Sequence, residues 1–181
     1  MDDSQTGLVE RARRGDQDAW AALYRGAYPR LVAFAARRLG GLDPGRDAVS
    51  ETMVRAVGAV EAYVGDDSGF TPWLFGICRH VVSDMQRTLW RRLPPRLLRH
   101  DADLPSAAEL LVEEEERAVV RAAFDRLEAD ERELLELRVV AGLSSAEVAV
   151  ILDKQPSAVR MAQKRALARL RTFVEETSCV G

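Results

Sequence analysis

The sequence of 181 residues has few of the residues that build metal sites, redox sites and disulfide frameworks. It contains two cysteines, Cys78 and Cys179, and two histidines, His80 and His100. The cysteines show no CxxC spacing, and the histidines lack nearby ligand partners, so the sequence predicts no metal site and no cofactor. The motifs GxSxG, HExxH and GxxxxGK[ST] are missing too, which argues against an enzyme.

Long hydrophobic runs are also missing. No stretch approaches the roughly 20 apolar residues of a membrane span, and the chain begins with MDDSQTGLVE, where a secretory signal would carry basic residues. We therefore expect a cytoplasmic protein without a membrane span. Aromatic residues make up only 6%, but hydrophobic residues reach 47% and charged residues 30%, as in globular proteins.

The net charge of -3 hides an uneven distribution of charge. Residues 101–136 hold thirteen acids and four arginines, so the rest of the chain carries +6. Residues 154–171 contain six basic residues and no acid, and residues 79–99 contain six arginines and one acid, Asp84. Such clusters are typical of a protein that contacts nucleic acid at two places, and also of solvated helix faces.

Hydrophobic residues recur at helical spacing in almost every segment, which predicts an all-α fold. Three stripes predict three helices in the first part of the chain; they include Trp20, Leu31 and Phe34, then Val49, Val57 and Val60, then Leu74, Ile77 and Val81. We expect the third helix to begin at Thr71-Pro72, because threonine can cap a helix and proline suits its first turn. Trp20 and Trp73 are expected to be core anchors.

A proline-rich stretch divides the chain into two small helical domains. Residues 93–106 carry three prolines and lose the helical periodicity, which predicts a flexible linker. We therefore expect one domain over residues 1–92 and a second over residues 107–181.

The second domain contains a helix-turn-helix pattern. Gly142-Leu143-Ser144-Ser145 predicts a helix end followed by a serine cap. After a short turn from Asp153, a basic helix begins near Pro156, and an N-terminal half of this kind faces base edges in a major groove. Candidate base-reading residues are Ser157, Arg160, Gln163 and Lys164, and candidate phosphate contacts are Arg165, Arg169 and Arg171. A helical hairpin with a solvated basic face is the alternative.

Two separate stretches match motifs of one family. The first, Phe70-Thr-Pro-Trp73-Leu74-Phe75 followed by Ile77, Arg79, Asp84 and Arg87, is similar to its F-x-x-W-L, R-N and D-x-x-R segment. The second runs from Leu127 through Gly142-Leu-Ser-Ser-Ala-Glu147 to Arg165-Ala166 and Leu170, and is similar to its closing helix-turn-helix. Over residues 8–173 the chain thus resembles the extracytoplasmic-function (ECF) sigma factors of the bacterial sigma-70 family.

The resemblance implies a factor that binds bacterial RNA polymerase core and directs initiation at promoter DNA. The first domain would be sigma domain 2 and the second sigma domain 4, which holds the minus-35 element through the residues named above as candidates. By resemblance the core-binding residues are Asp47, Ser50 and Glu51. The minus-10 residues are Phe70, Arg79, His80, Asp84, Arg87 and Arg91, with a pocket loop over Gly65–Phe70. A cognate anti-sigma factor and a monomeric free chain are also expected.

The sequence departs from the family pattern at four positions. Ser50 stands where glutamine is usual, His80 replaces asparagine, and Ala158 replaces threonine. Asp153 occupies a turn position where glycine is usual, and aspartate tolerates the left-handed conformation better than most residues. We expect the turn to survive and base choice at His80 to differ.

Two other functions fit parts of the sequence. A stand-alone helix-turn-helix regulator would bind an operator and use the first domain for sensing or dimerisation, but it would not need the segment Phe70–Arg87. A polymerase-binding or anti-sigma-type protein would use its helices without reading DNA, and the basic helix over residues 154–171 argues against it.

Overall fold

The structure, a computed structural model, describes residues 7–65, 67–92 and 111–178. The chain divides into two compact units, unit 1 over residues 1–102 and unit 2 over residues 103–181. Within the described ranges all regular elements are helical, which confirms the predicted all-α fold. The predicted linker, residues 93–106, lies outside the described residues, as do His100 and Cys179.

Unit 1 consists of four α-helices in its described part: α1 (Leu8–Arg13), α2 (Gln17–Leu39), α3 (Leu42–Ala59) and α4 (Asp67–Arg92), with a 3-10 turn at Val60–Ala62. Helix α2 packs against α1, α3 and α4. The core between them contains the fully buried side chains of Leu31, Phe34, Val49, Leu74 and Phe75. Gly45 allows the close approach of α3 to α2, since a Cβ there would lie 2.7 Å from the backbone nitrogen of Ala36.

Three expectations about unit 1 are wrong in detail. The described part of unit 1 has four α-helices rather than three, because the short α1 precedes the predicted helices. Helix α4 begins at Asp67 rather than Thr71, so Pro72 lies inside the helix; an acid in the first turn suits the positive helix end. The side chain of Val57 is 54% exposed instead of buried. Small residues recurring along α3 form its buried face instead, because they let α3 lie close to α2: Gly45, Ala48, Thr52 and Ala56.

Unit 2 contains α5 (Leu111–Asp125), α6 (Ala129–Leu135), α7 (Ser145–Leu152) and α8 (Pro156–Ser178) in its described part, and a π-helical turn at Glu136–Val140 extends α6. Helix α8 packs against α5, α6 and α7. Its Val159 and Ala166 are fully buried, as are Leu137, Leu143 and Val148. None of the helices in the described part of either unit has the length and apolarity needed to cross a membrane.

Candidate nucleic-acid interface

The turn between α7 and α8 has helix-turn-helix geometry. Ser144 caps α7: its hydroxyl accepts the backbone N–H of Glu147 at 3.1 Å, and the Glu147 carboxylate accepts the N–H of Ser144 at 2.6 Å. Asp153 ends α7 in the left-handed conformation, with φ 51° and ψ 53°. The serine cap and the left-handed aspartate are therefore confirmed, and α8 begins three residues later at Pro156.

The front face of α8 carries exposed polar side chains. Ser157, Arg160 and Lys164 are exposed and stand three or four residues apart, so they share one side of the helix. Val159 and Ala166, both fully buried, fix the opposite side to the rest of unit 2. The helix thus holds two cationic groups and a hydroxyl toward solvent on an anchored backbone.

Met161 belongs to the same front face but was not among the predicted contacts. Its side chain is 55% exposed and lies between the exposed Arg160 and Lys164 in sequence. An apolar side chain at such a position can contact a thymine methyl group in a major groove. Helical periodicity places it beside the basic residues, and this signal was available in the sequence.

Gln163 and Arg169, two of the predicted DNA contacts, already have partners inside unit 2. Arg138 donates from Nε to Gln163 Oε1 at 2.8 Å and from Nη1 to the carbonyl oxygen of Leu143. Arg169 forms an ion pair with Glu131 at 3.0 Å. The front face therefore depends on Ser157, Arg160 and Lys164 together with the exposed Arg165 beside them. The role of Arg138 could not be predicted from the sequence, because it lies 25 residues from Gln163.

In unit 1, three of the predicted minus-10 residues share one side of α4. His80, Asp84 and Arg87 stand four and three residues apart. His80 is exposed, with Nδ1 2.7 Å from the carbonyl oxygen of Gly76. Arg79 is half-buried, and the side chain of Arg91 lies outside the described part of the chain.

A ladder of alternating charges connects α3 to this side of α4. Glu51 accepts from Arg55 at 2.8 Å, Arg55 lies 3.4 Å from Asp84, and Asp84 pairs with Arg87 at 2.5 Å. The Arg87 guanidinium, and then that of Arg55, hold the pKa of the Asp84 carboxyl below its ordinary value. Asp84 thus orients two arginines, and one end of the ladder is the predicted core-binding Glu51.

Phe70 requires a correction, because its side chain is only 3% exposed. It packs in an aromatic cluster, with ring centroids 6.3 Å from Trp20, 6.1 Å from Tyr63 and 5.4 Å from Trp73. A base cannot stack on a ring that is already covered, so Phe70 belongs to the core of unit 1 and is not itself a base contact. The predicted pocket loop over Gly65–Phe70 is shorter as well, since α4 already begins at Asp67.

The outer side of α3 presents acidic and apolar groups together. Asp47, Ser50 and Glu51 are all exposed, so their side chains are accessible to a partner. Val54 and Val57 extend the same side and are 68% and 54% exposed. This strip combines carboxylates with uncovered valines, and the sequence periodicity had assigned Val57 to the core.

Comparison with known proteins identifies the family of this chain. Family models described as Sigma-70 region 2 and Sigma-70, region 4 match residues 23–92 and 117–170. The ECF RNA polymerase sigma factor ShbA of Streptomyces griseus is 32% identical over 93% of this chain and 94% of its own length.

Two solved structures share the fold of this chain. CnrH, in complex with the cytosolic domain of CnrY, matches 96% of this chain and 99% of its own with a TM-score of 0.70 and 26% identity. The sigma factor RpoE of Bartonella quintana, in complex with the anti-sigma factor NepR, matches 86% and 96% with a TM-score of 0.61 and 21% identity. With its two matched regions and its full-length relative, the chain belongs to the ECF sigma factors, which act in promoter-directed initiation of transcription.

Proposed function

We propose that the two units divide promoter recognition between them. Unit 2 reads the minus-35 element with α8, whereas unit 1 binds the polymerase core with α3 and the opened minus-10 element with α4. The proposed domains are residues 1–92 and 107–181, joined by a linker over residues 93–106. The single observation that carries this proposal is the front face of α8, with Arg160 and Lys164 exposed opposite the buried Val159 and Ala166.

On α8, Arg160 is the proposed reader of a guanine. Its planar guanidinium can donate to both acceptors of that base, which discriminates by about 1–3 kcal/mol against other bases. Ser157, Lys164 and Met161 complete the base-facing surface. Arg165 contacts phosphate. Arg169 can do so only if it exchanges its ion pair with Glu131 for one with a phosphate. Gln163 accepts a hydrogen bond from Arg138, and the two side chains together hold α8.

On α4, Arg79, His80, Arg87 and Arg91 are proposed to follow the single strand exposed by melting. A strand without its partner is bound by cationic groups along its backbone together with surfaces for unstacked bases. Asp84 does not face phosphate in this proposal. Its ion pairs hold Arg87 and Arg55 in place, so that a cation is presented at a fixed position.

On α3, Asp47, Ser50 and Glu51 are proposed to bind the polymerase core. Val54 and Val57 supply the apolar part of the same surface, and a mixed surface of this kind fits a partner with basic and apolar groups. The chain is proposed to be a non-catalytic, monomeric subunit in the cytoplasm. An anti-sigma factor is a further proposed partner, supported by the complex in which RpoE of Bartonella quintana was solved.

The test is run-off transcription with purified bacterial core polymerase on a library of random promoter fragments, with and without the protein. Specific start sites that depend on the protein, and that share two sequence elements, are the expected result. If no start site depends on it, while the protein alone retards a defined duplex at physiological salt, the proposal fails in favour of an operator-binding regulator.

A further inference from the structure

Helix α1 precedes the part of the chain that matches Sigma-70 region 2, which begins at residue 23. It nevertheless contacts the segment between α3 and α4. Arg13, the last residue of α1, donates from Nη2 to the carbonyl oxygen of Tyr63. Its guanidinium also lies 5.6 Å from the centroid of the Tyr63 ring. The first end of the segment is therefore tied to α1 by a charged hydrogen bond and a cation–π contact.

The second end of the segment between α3 and α4 is hydrogen-bonded to the beginning of α1. The Asp67 carboxylate accepts the backbone N–H of Gly7 at 3.0 Å and that of Val9 at 3.3 Å. The first N–H groups of a helix have no partner within it, so a carboxylate at this place satisfies them. One aspartate thus lies in the first turn of α4 and caps α1 about 60 residues away in sequence.

Between these two contacts, the side chain of Val64 projects into solvent. Val64 is 96% exposed, although its neighbour Tyr63 is only 9% exposed. Tyr63 packs on Trp73 with ring centroids 4.9 Å apart. Gly65 lies against the Tyr63 hydroxyl, since a Cβ there would come within 2.4 Å of it. The loop Tyr63–Gly65 therefore presents Val64 from a backbone that is held on both sides.

We propose that α1 positions the loop Tyr63–Gly65 for the minus-10 element, with Arg13 and Asp67 as positioning residues. The inference rests on the proposed function, in which unit 1 receives unstacked bases. A binding loop discriminates between similar bases only when its backbone is held within a fraction of an ångström, and a loosened loop must be ordered anew for each ligand. Base preference at minus-10 thus depends on a helix outside the region 2 match.

The experiment compares variants in run-off transcription with core polymerase. The templates carry each of the four bases in turn at every minus-10 position of a promoter selected with the wild-type protein. For each minus-10 position, the readout is the ratio of transcription from the template with the best base to that from the template with the worst base. Arg13→Ala and Asp67→Asn should lower this ratio by about fivefold, because the loosened loop must be ordered when DNA binds. Discrimination at the minus-35 element and affinity for core should stay at wild-type values.

Two further variants separate positioning from a general loss of stability. Arg13→Lys keeps one donor for the Tyr63 carbonyl and should recover part of the ratio. Arg14→Ala removes an exposed arginine of the same segment whose ion pair is with Glu10, and it should change nothing. If Arg13→Ala does not fold, Arg13→Lys and Asp67→Asn carry the same comparison.

Equal loss of transcription on every template, or an unchanged ratio, would overturn the positioning role while the proposed function stands. If the wild-type protein itself initiates at no promoter, the proposed function fails, and the role of α1 fails with it. The wild-type reaction on the selected promoter distinguishes the two failures.

Discussion

Two of the arginines proposed to contact DNA already have a carboxylate partner within the chain. Arg87 pairs with Asp84 and Arg169 with Glu131, and both arginine side chains are more than half exposed. Ion pairs at a solvated surface contribute little to stability, because water and salt screen them. Such an arginine can therefore exchange its carboxylate for a phosphate at small cost.

The carboxyl of Asp84 should titrate below its ordinary pKa of 3.8, because Arg87 and then Arg55 stabilise its charged form. A depressed pKa means that the pairs stabilise the fold at pH values above 3.8, and that this contribution is lost as the pH falls through the folded-state pKa. NMR titration of the carboxyl carbon measures this pKa. Arg87→Ala should raise it more than Arg55→Ala does, and a wild-type midpoint at or above 3.8 would contradict the ladder.

Among the elements, the turn from α7 to α8 depends on one unusual backbone conformation. Asp153 has a positive φ of 51°, and among the described residues other than glycine it is alone in this. Its side chain is exposed, so the conformation and not a contact determines which residues are tolerated there. Glycine is usual in the family at this position, and aspartate is an acceptable substitute.

Asp153→Val should destabilise unit 2 by about 1–3 kcal/mol, because a β-branched side chain is strained in the left-handed region. Asp153→Gly should be tolerated and serves as the matched control. All three tryptophans precede residue 93, so fluorescence reports on unit 1. Hydrogen exchange of the α7 and α8 amides is the appropriate measurement for unit 2, and equal protection in both variants would show that the turn is not under this constraint.

Helix α3 is the element whose outer side should bind polymerase. Asp47→Arg combined with Glu51→Arg should abolish co-purification with core, since it replaces two exposed carboxylates of one face by cations. Asp125→Arg combined with Glu175→Arg changes the net charge equally in unit 2 and should leave core binding intact. If the α3 variant co-purifies with core as well as the wild type does, the polymerase interface does not lie on this side of α3.

At the scale of the whole molecule, local signals in the sequence predicted the architecture. The Ser144 cap, the Asp153 turn and the spacing of Val159 and Ala166 each depend on a few neighbouring residues, and all of them are found in the structure. Sequence motifs also identified Phe70 as important. A motif cannot tell a buried aromatic ring from one that contacts a base, because both roles use the same side chain.

What the sequence did not predict depends on residues that are far apart in the chain. Arg138 meets Gln163 across 25 residues, Arg169 meets Glu131 across 38, and Asp67 reaches Gly7 across 60. Long arginine and short aspartate side chains are compatible with many partners, so only the packed helices select one. The exposure of Val57 was missed for a related reason: valine is as suitable for a core as for a protein-binding surface.

The central claim is that unit 2 reads the minus-35 element independently of the minus-10 element. The most direct measurement is a double-mutant cycle in run-off transcription with core polymerase, with wild type and Arg160→Ala on three templates: intact, minus-35 scrambled and minus-10 scrambled. Arg165→Ala is the control, since a phosphate contact should weaken transcription equally on every template.

Arg160→Ala should reduce initiation about tenfold on the intact template and should have no further effect when the minus-35 element is scrambled. On the minus-10-scrambled template, Arg160→Ala should cause the same fold-loss of initiation as on the intact template, so that the losses from the substitution and from scrambling multiply. Independent sites contribute additively to the free energy. An equal loss caused by Arg160→Ala on the intact and minus-35-scrambled templates would contradict the assignment of α8 to the minus-35 element.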